Sequence, residues 1–156
     1  MEHPEIEALK LNAAVLENFI RNIPEPDLHH RRGEGFWTVY EHLHHLVLVQ
    51  PVMFKRLRSF KNEEKPVITP YNPFQDTGSK PSVKRPAADL VRNFREWRDK
   101  QLDLIRSCDE AVWTRTGVHP EYHSYSFEIV VRHILFHDGT HLYLMEELWL
   151  AKEIQP

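Results

Sequence analysis

The sequence predicts an all-α fold, a four-helix bundle with long connections between its helices, in a single domain over residues 1–156. Three observations predict it. Apolar residues return at alternating steps of three and four in four separate stretches. The eleven prolines and five glycines fall mainly between those stretches. No segment of useful length alternates apolar and polar residues, and no internal repeat is visible.

The first helix runs from about Glu5 to Asn22, with Ile6, Leu9, Ala13, Leu16 and Ile20 on one stripe, and the Pro24–Pro26 pair ends it. Residues 23–36 are polar, contain Gly33 and Gly35, and read as a loop. Thr38-Val-Tyr-Glu41 is a capping box, in which a hydroxyl and a carboxylate three residues apart each satisfy a free backbone N–H. It opens a second helix that should reach about Phe60, with Val39, Leu43, Leu46, Val49 and Met53 facing inward. Pro51 cannot donate to the Val47 carbonyl, so a kink is expected there; the pattern resumes with Phe54 and Leu57, which argues against a break.

From Lys61 to Arg85 the chain holds Pro66, Pro70, Pro73 and Pro81 and has no helical period. Such a connection is either a mobile linker or a lid over a site, with Tyr71 and Phe74 able to reach an apolar ligand. Pro86 suits the first turn of a third helix, whose stripe of Leu90, Phe94, Trp97, Leu102 and Ile105 should end near Cys108. A second connection, Asp109 to Tyr125, includes Gly117 and Pro120. The last helix should start at Ser126 as N-cap, with Glu128 in its first turn. It should run to about Ala151 through Ile129, Val130, Ile134, Leu144, Leu148 and Trp149. All the connections can run along a bundle, so their lengths decide neither helix order nor direction.

Twenty basic and 23 acidic side chains leave a net charge of −3. That balance predicts no nucleic-acid partner and no membrane surface partner. The single cysteine, Cys108, excludes an internal disulfide and a cysteine-built zinc or iron–sulfur site; it reads as a small buried hydrophobe. With no signal peptide and no apolar run near spanning length, the expected location is cytoplasmic. Phosphate-loop and Gly-x-Ser-x-Gly motifs are absent, so no nucleotide cofactor is expected.

Eleven histidines are the unusual feature. His133, His137 and His141 follow one another at four-residue steps, which stacks neighbouring rings on one stripe of a helix. Chance would give about one such pair; the chain has three, although His119 and His123 straddle Pro120. On the second helix His42, His44 and His45 cannot all face one point, because His42 is turned about 60° and His44 about 100° from His45. His45 lies beside Leu46 and Val49 on the inward side. One histidine from this helix and two from the last could therefore converge on a metal and leave coordination positions open, as catalytic sites do. Any one of these rings alone reads better as a hydrogen-bonded core residue than as a ligand. His29 and His30, beside Arg31 and Arg32, read as a solvated cluster, and His3, His119 and His123 as surface residues.

Trp37-Thr-Val-Tyr-Glu-His-Leu-His-His45, taken with His133-Ile-Leu-Phe-His137-Asp-Gly-Thr-His141, resembles the DinB/YfiT-like family of four-helix-bundle metalloenzymes. Trp37, Thr38 and His45 match its first motif, and His137 and His141 its second, with His133 in the upstream position sometimes filled. Leu-Tyr-Leu after His141 departs from the Gly-Gln continuation common in that family. The resemblance implies a divalent transition metal, nickel, zinc or iron, on His45, His137 and His141. It also implies a possible homodimer and a small-molecule substrate.

An open three-histidine site can acidify a bound water or stabilise a thiolate. The resemblance favours the thiolate, and hence an S-transferase or related detoxifying enzyme using a low-molecular-weight thiol as cosubstrate. The alternatives are a metal-dependent hydrolase and a catalytically silent metal- or ligand-binding bundle. Glu41 and Asp138 are the acidic residues nearest the candidate ligands, so they are the weak candidates for proton transfer. Glu41 is better explained as a cap. Trp37 and Trp149 read as core aromatics or as pocket walls.

Overall fold

Two of the long helices begin on a side chain that accepts from a free N–H of the first turn, and the other two begin at a proline. The computed structural model describes residues 3–71 and 84–151. Helix α1 (Pro4–Arg21) opens on a proline, and a single turn, α2 (Glu25–Leu28), interrupts the loop that follows. Helix α3 (Val39–Asn62) starts on the expected capping box: Glu41 N–H donates to Thr38 Oγ1 at 3.1 Å and Thr38 N–H to Glu41 Oε2 at 2.8 Å. It continues through Pro51 without a break. Helix α4 (Ala87–Arg106) has Pro86 as its N-cap, and one turn, α5 (Glu110–Trp113), comes next. The last helix, α6 (Phe127–Leu150), is capped by Ser126, whose Oγ accepts from the Ile129 N–H at 3.2 Å.

Between α5 and α6 lies a hairpin that the sequence did not predict. Strands β1 (Thr116–His119) and β2 (Tyr122–Ser126) are antiparallel, with an irregularity between Gly117 and His119. Its stability comes from tertiary contact rather than from alternation. Ile68 N–H donates to Val118 O and Val118 N–H to Pro66 O, both at 2.8 Å, so the end of the long connection docks on β1. Residues Pro73, Phe74 and Pro81 of that connection lie outside the described residues.

Side-chain pairs between helices fix the directions that loop length left open. Tyr40 meets Arg85, Gln50 meets Gln101 and Lys61 meets Ser107, so α3 and α4 run parallel. His42 meets His141 and His45 meets His137, which makes α6 antiparallel to α3. Glu17 pairs with Arg95 and Glu7 with Arg106, so α1 opposes α4. The order is therefore up, down, down, up. Two parallel consecutive helices need a connection that travels back along the bundle, which accounts for the length of the segment after α3.

The core falls into two apolar clusters, one around Leu57, Phe60, Ile105 and Phe127, the other around Leu16, Leu43, Leu90 and Met145. Buried polar residues Gln50, Arg98, Gln101 and Asp138 come from α3, α4 and α6. Not every stripe position is fully buried. Trp97 is half-buried, with Lys100 Nζ 4.6 Å above its ring, and Arg98 takes the inward place next to it. Leu144 and Trp149 are exposed. Cys108 is half-buried, its Sγ donating to the Leu104 carbonyl, and burial pushes the thiol pKa up. No helix among the described residues is long and apolar enough to cross a membrane.

Candidate metal centre

Two antiparallel helices set the site. Because α3 and α6 run in opposite directions, His42 and His45 climb one wall while His141 and His137 descend the other. Among the described residues, His45, His137 and His141 form a group whose candidate ligand atoms all lie within 4.8 Å of one another. His45 Nε2 and His137 Nε2 are 3.2 Å apart. Two nitrogens bound tetrahedrally at about 2.0–2.1 Å from one ion would stand about 3.3 Å apart, so this spacing suits a shared cation. The ring of His141 lies 4.7 Å from that of His45 and 4.6 Å from that of His137, centre to centre.

Burial favours the neutral form of two of these rings, His45 and His141. Desolvation, with the neighbouring histidines adding to it, lowers the pKa of His45 to about 4 and of His141 to about 3. Neutral imidazoles present the lone pairs that a transition metal needs. Three nitrogen donors with no carboxylate suit zinc, nickel or iron better than magnesium or calcium, so the residues present fit the implied metal.

The residues around the group have separate tasks. His42, set aside by its angle in the sequence, is buried and its Nδ1 lies 2.8 Å from His141 Nδ1. That contact occupies one nitrogen of His141 and leaves Nε2 for a cation. Desolvation lowers the His42 pKa to about 4, partly opposed by Glu41. Trp37 lies against three of the rings, 5.1 Å from His42, 5.3 Å from His45 and 6.2 Å from His141, and walls the centre. His44 points elsewhere and stacks on Tyr40.

Asp138 is buried and accepts from Arg98 Nη2 through Oδ2; its Oδ1 is 3.9 Å from His137 Nδ1, beyond hydrogen-bond range. Glu41 serves the capping box and pairs with Arg31 Nη2. Burial acts to raise the Glu41 carboxyl pKa, but Arg31 and the Thr38 N–H outweigh it and hold it low.

His133 is not in the metal group. It packs edge-on to Tyr122 and Tyr125 instead. His119 corrects the expectation of a surface ring: it is buried and its Nδ1 accepts from the Glu121 N–H. His3 likewise stacks flat on Trp113, ring centres 3.5 Å apart. Trp149 only meets Phe19 edge-on, away from the site. A cavity of about 710 Å³ between α1, α2 and α4 contains no histidine.

Comparison with known proteins agrees with this fold. A family model, the DinB superfamily, matches residues 8–145. The solved structure of YfiT from Bacillus subtilis superposes with a TM-score of 0.78 at 21% identity, over 93% of this chain and 83% of that one. It is described as "a probable metal-dependent hydrolase with an unusual four-helix bundle topology". A DinB-like protein of the same organism, YjoA, superposes with a TM-score of 0.59 at 10% identity, over 98% and 97% of the chains. Curated proteins give no match. The likeness read from Trp37, His45, His137 and His141 thus holds along most of the sequence, and this chain belongs to the DinB superfamily.

Proposed function

We propose that the protein is a metal-dependent hydrolase of a small molecule, with His45, His137 and His141 as ligands of a divalent transition metal. The observation that carries this reading is the convergence of the three rings, with His45 and His137 Nε2 atoms 3.2 Å apart. When bound, such a cation would acidify a water in an open coordination position and polarise a substrate carbonyl. The chain's own residues prepare the place. Three neutral donors leave the charge of a dication undiminished, Trp37 shields one side from solvent, and His42 holds the His141 ring in orientation.

Hydrolysis is preferred to thiol S-transfer because YfiT is described as a hydrolase; the thiol reading rests on family resemblance alone. The test uses untagged protein, analysed for metal and then assayed on a panel of esters and amides, with thiol consumption in the presence of an electrophile measured in parallel. Expected results are one metal per chain, ester or amide turnover that chelator removes, loss of both in His137→Ala and His141→Ala, and full metal occupancy in His133→Ala. Full metal occupancy in His141→Ala would refute the ligand set. Metal with thiol turnover and no hydrolysis would replace the hydrolase by the transferase.

A further inference from the structure

Arg56 is a cation beside the histidine row that the described fold leaves without a counter-ion. Several other arginines have carboxylate partners, Arg31 with Glu41, Arg92 with Asp89, Arg95 with Glu17, Arg98 with Asp138 and Arg132 with Glu128, and Arg32, Arg58 and Arg85, which have none among the described residues, are exposed where Arg56 is half-buried. Arg115 caps the end of α3, donating to the carbonyls of Phe60, Lys61 and Glu63. Arg56 does neither. Its Nη1 donates to the Tyr125 hydroxyl at 3.3 Å and its Nη2 to the Thr69 carbonyl at 3.2 Å, and both acceptors are uncharged. Its Nε is buried with no hydrogen-bond partner. A guanidinium has five N–H groups, so donors remain to spare, and a buried donor left unmatched is destabilising.

The surroundings point the same way. His133 stands one helical turn from His137, and its ring is 5.6 Å from that of Tyr125. Tyr125, which accepts from Arg56, also lies 4.7 Å from the His119 ring, and burial lowers the pKa of both His119 and His133, with the Arg56 charge adding to it in each. The segment that Arg56 grips at Thr69 reaches, two residues later, Tyr71, whose ring is 6.5 Å from that of His45. Arg56 also follows His45 by eleven residues on α3, which is three turns along the same face and about 16 Å of axial rise, so one elongated small molecule could meet both.

We propose that Arg56, flanked by Tyr125 and His133, is the carboxylate-binding subsite of the metal centre, so that the substrate bears a carboxylate several bonds from the group that reacts. This rests on the metal-dependent reading of His45, His137 and His141. A single uncompensated guanidinium balances a single negative charge, and its planar fork matches a carboxylate; a phosphate dianion would call for more cationic groups than this site has.

The test uses full-length, untagged, ¹⁵N-labelled protein with and without zinc. The Arg56 Nε–H resonance is identified by its loss in Arg56→Gln. Glutarate should shift it in both forms, and neutral glutaramide should not. On the zinc-loaded protein the monohydroxamate of glutaric acid should bind about tenfold or more tightly than the hydroxamate of its neutral amide. Arg56→Gln should abolish that preference and Arg56→Lys should keep part of it. Because Arg56 also braces Thr69, the comparison of charged and neutral probes on the unmutated protein decides the matter if the variants fold poorly. Equal binding of the two hydroxamates, or a resonance unmoved by glutarate, overturns the proposal and reduces Arg56 to a brace. Failure of zinc to bind while glutarate still moves the resonance would sink the metal reading and leave the carboxylate site standing; zinc uptake with an unmoved resonance would do the reverse.

Discussion

His42 and His141 meet through their Nδ1 atoms at 2.8 Å, so one of the two must carry the proton that the other accepts. A ring held in this way keeps one tautomer and one orientation, and loss of such a partner typically costs about 10–100-fold in metal affinity. His42→Ala should therefore weaken zinc binding by about that factor in a chelator competition, without removing the site, and His42→Gln should restore part of it. Unchanged affinity in His42→Ala would show that the contact does not orient His141. Acid should act on the same rings in the metal-free protein. His42 and His45 titrate at about 4 and His141 at about 3, against 6.5 for an ordinary histidine. Between those values the unfolded chain binds more protons than the folded one, so stability is complete above about pH 6.5 and falls as the pH drops toward 4. Thermal melts of the metal-free protein at pH 7, 5.5 and 4.5 would show it, and His42→Gln should flatten the slope; a melting temperature constant over that range contradicts the shifts. At this scale the four-residue steps made His137 and His141 legible, and the apolar neighbours Leu46 and Val49 made His45 legible. His42 was not, because an angle of about 60° on its own helix says nothing of a ring arriving from the opposite one.

Helix ends were the most readable elements, since Thr38, Glu41 and Ser126 carry their instructions locally. The hairpin was unreadable for the opposite reason. Four residues with a glycine in β1 show no period, and β1 is held instead by Pro66 and Ile68, some fifty residues earlier. Gly117 shows how close that approach is: a Cβ placed there would stand 2.7 Å from the Pro66 carbonyl oxygen and 2.9 Å from the Phe60 ring. Gly117→Ala should push the 66–68 segment off β1 and cost about 1–3 kcal/mol in a denaturant titration, with faster exchange of the Ile68 and Val118 amides. Gly139, inside α6 with open space where its Cβ would be, is the matched control. Gly139→Ala should raise stability by about 0.5–1 kcal/mol, because alanine is the better helix former. If Gly117→Ala behaves like Gly139→Ala, the docking of the long connection on β1 is wrong.

Across the whole molecule, the parallel course of α3 and α4 forces a long return segment and brings the buried polar residues of α3, α4 and α6 into the interior. None of this could be read from the chain, since every connection was long enough for either direction. Asp138 shows the consequence. About 100° from His137 on the helix, it turns toward α4, where Arg98 meets it with both side chains almost wholly buried. Burial works to lower the Arg98 pKa, while Asp138 opposes that and keeps the guanidinium charged. Two buried charges that neutralise each other contribute little net stability, but removing one leaves the other unpaired at a cost of about 3–5 kcal/mol. Asp138→Ala should therefore destabilise strongly in urea titration, and so should Arg98→Ala. The paired replacement Arg98→Met with Asp138→Leu should recover most of that loss and still take up one zinc per chain, since neither residue belongs to the metal group. Recovery of stability without zinc uptake would instead make Asp138 a partner of His137, 3.9 Å away, and move it from the architecture into the metal centre.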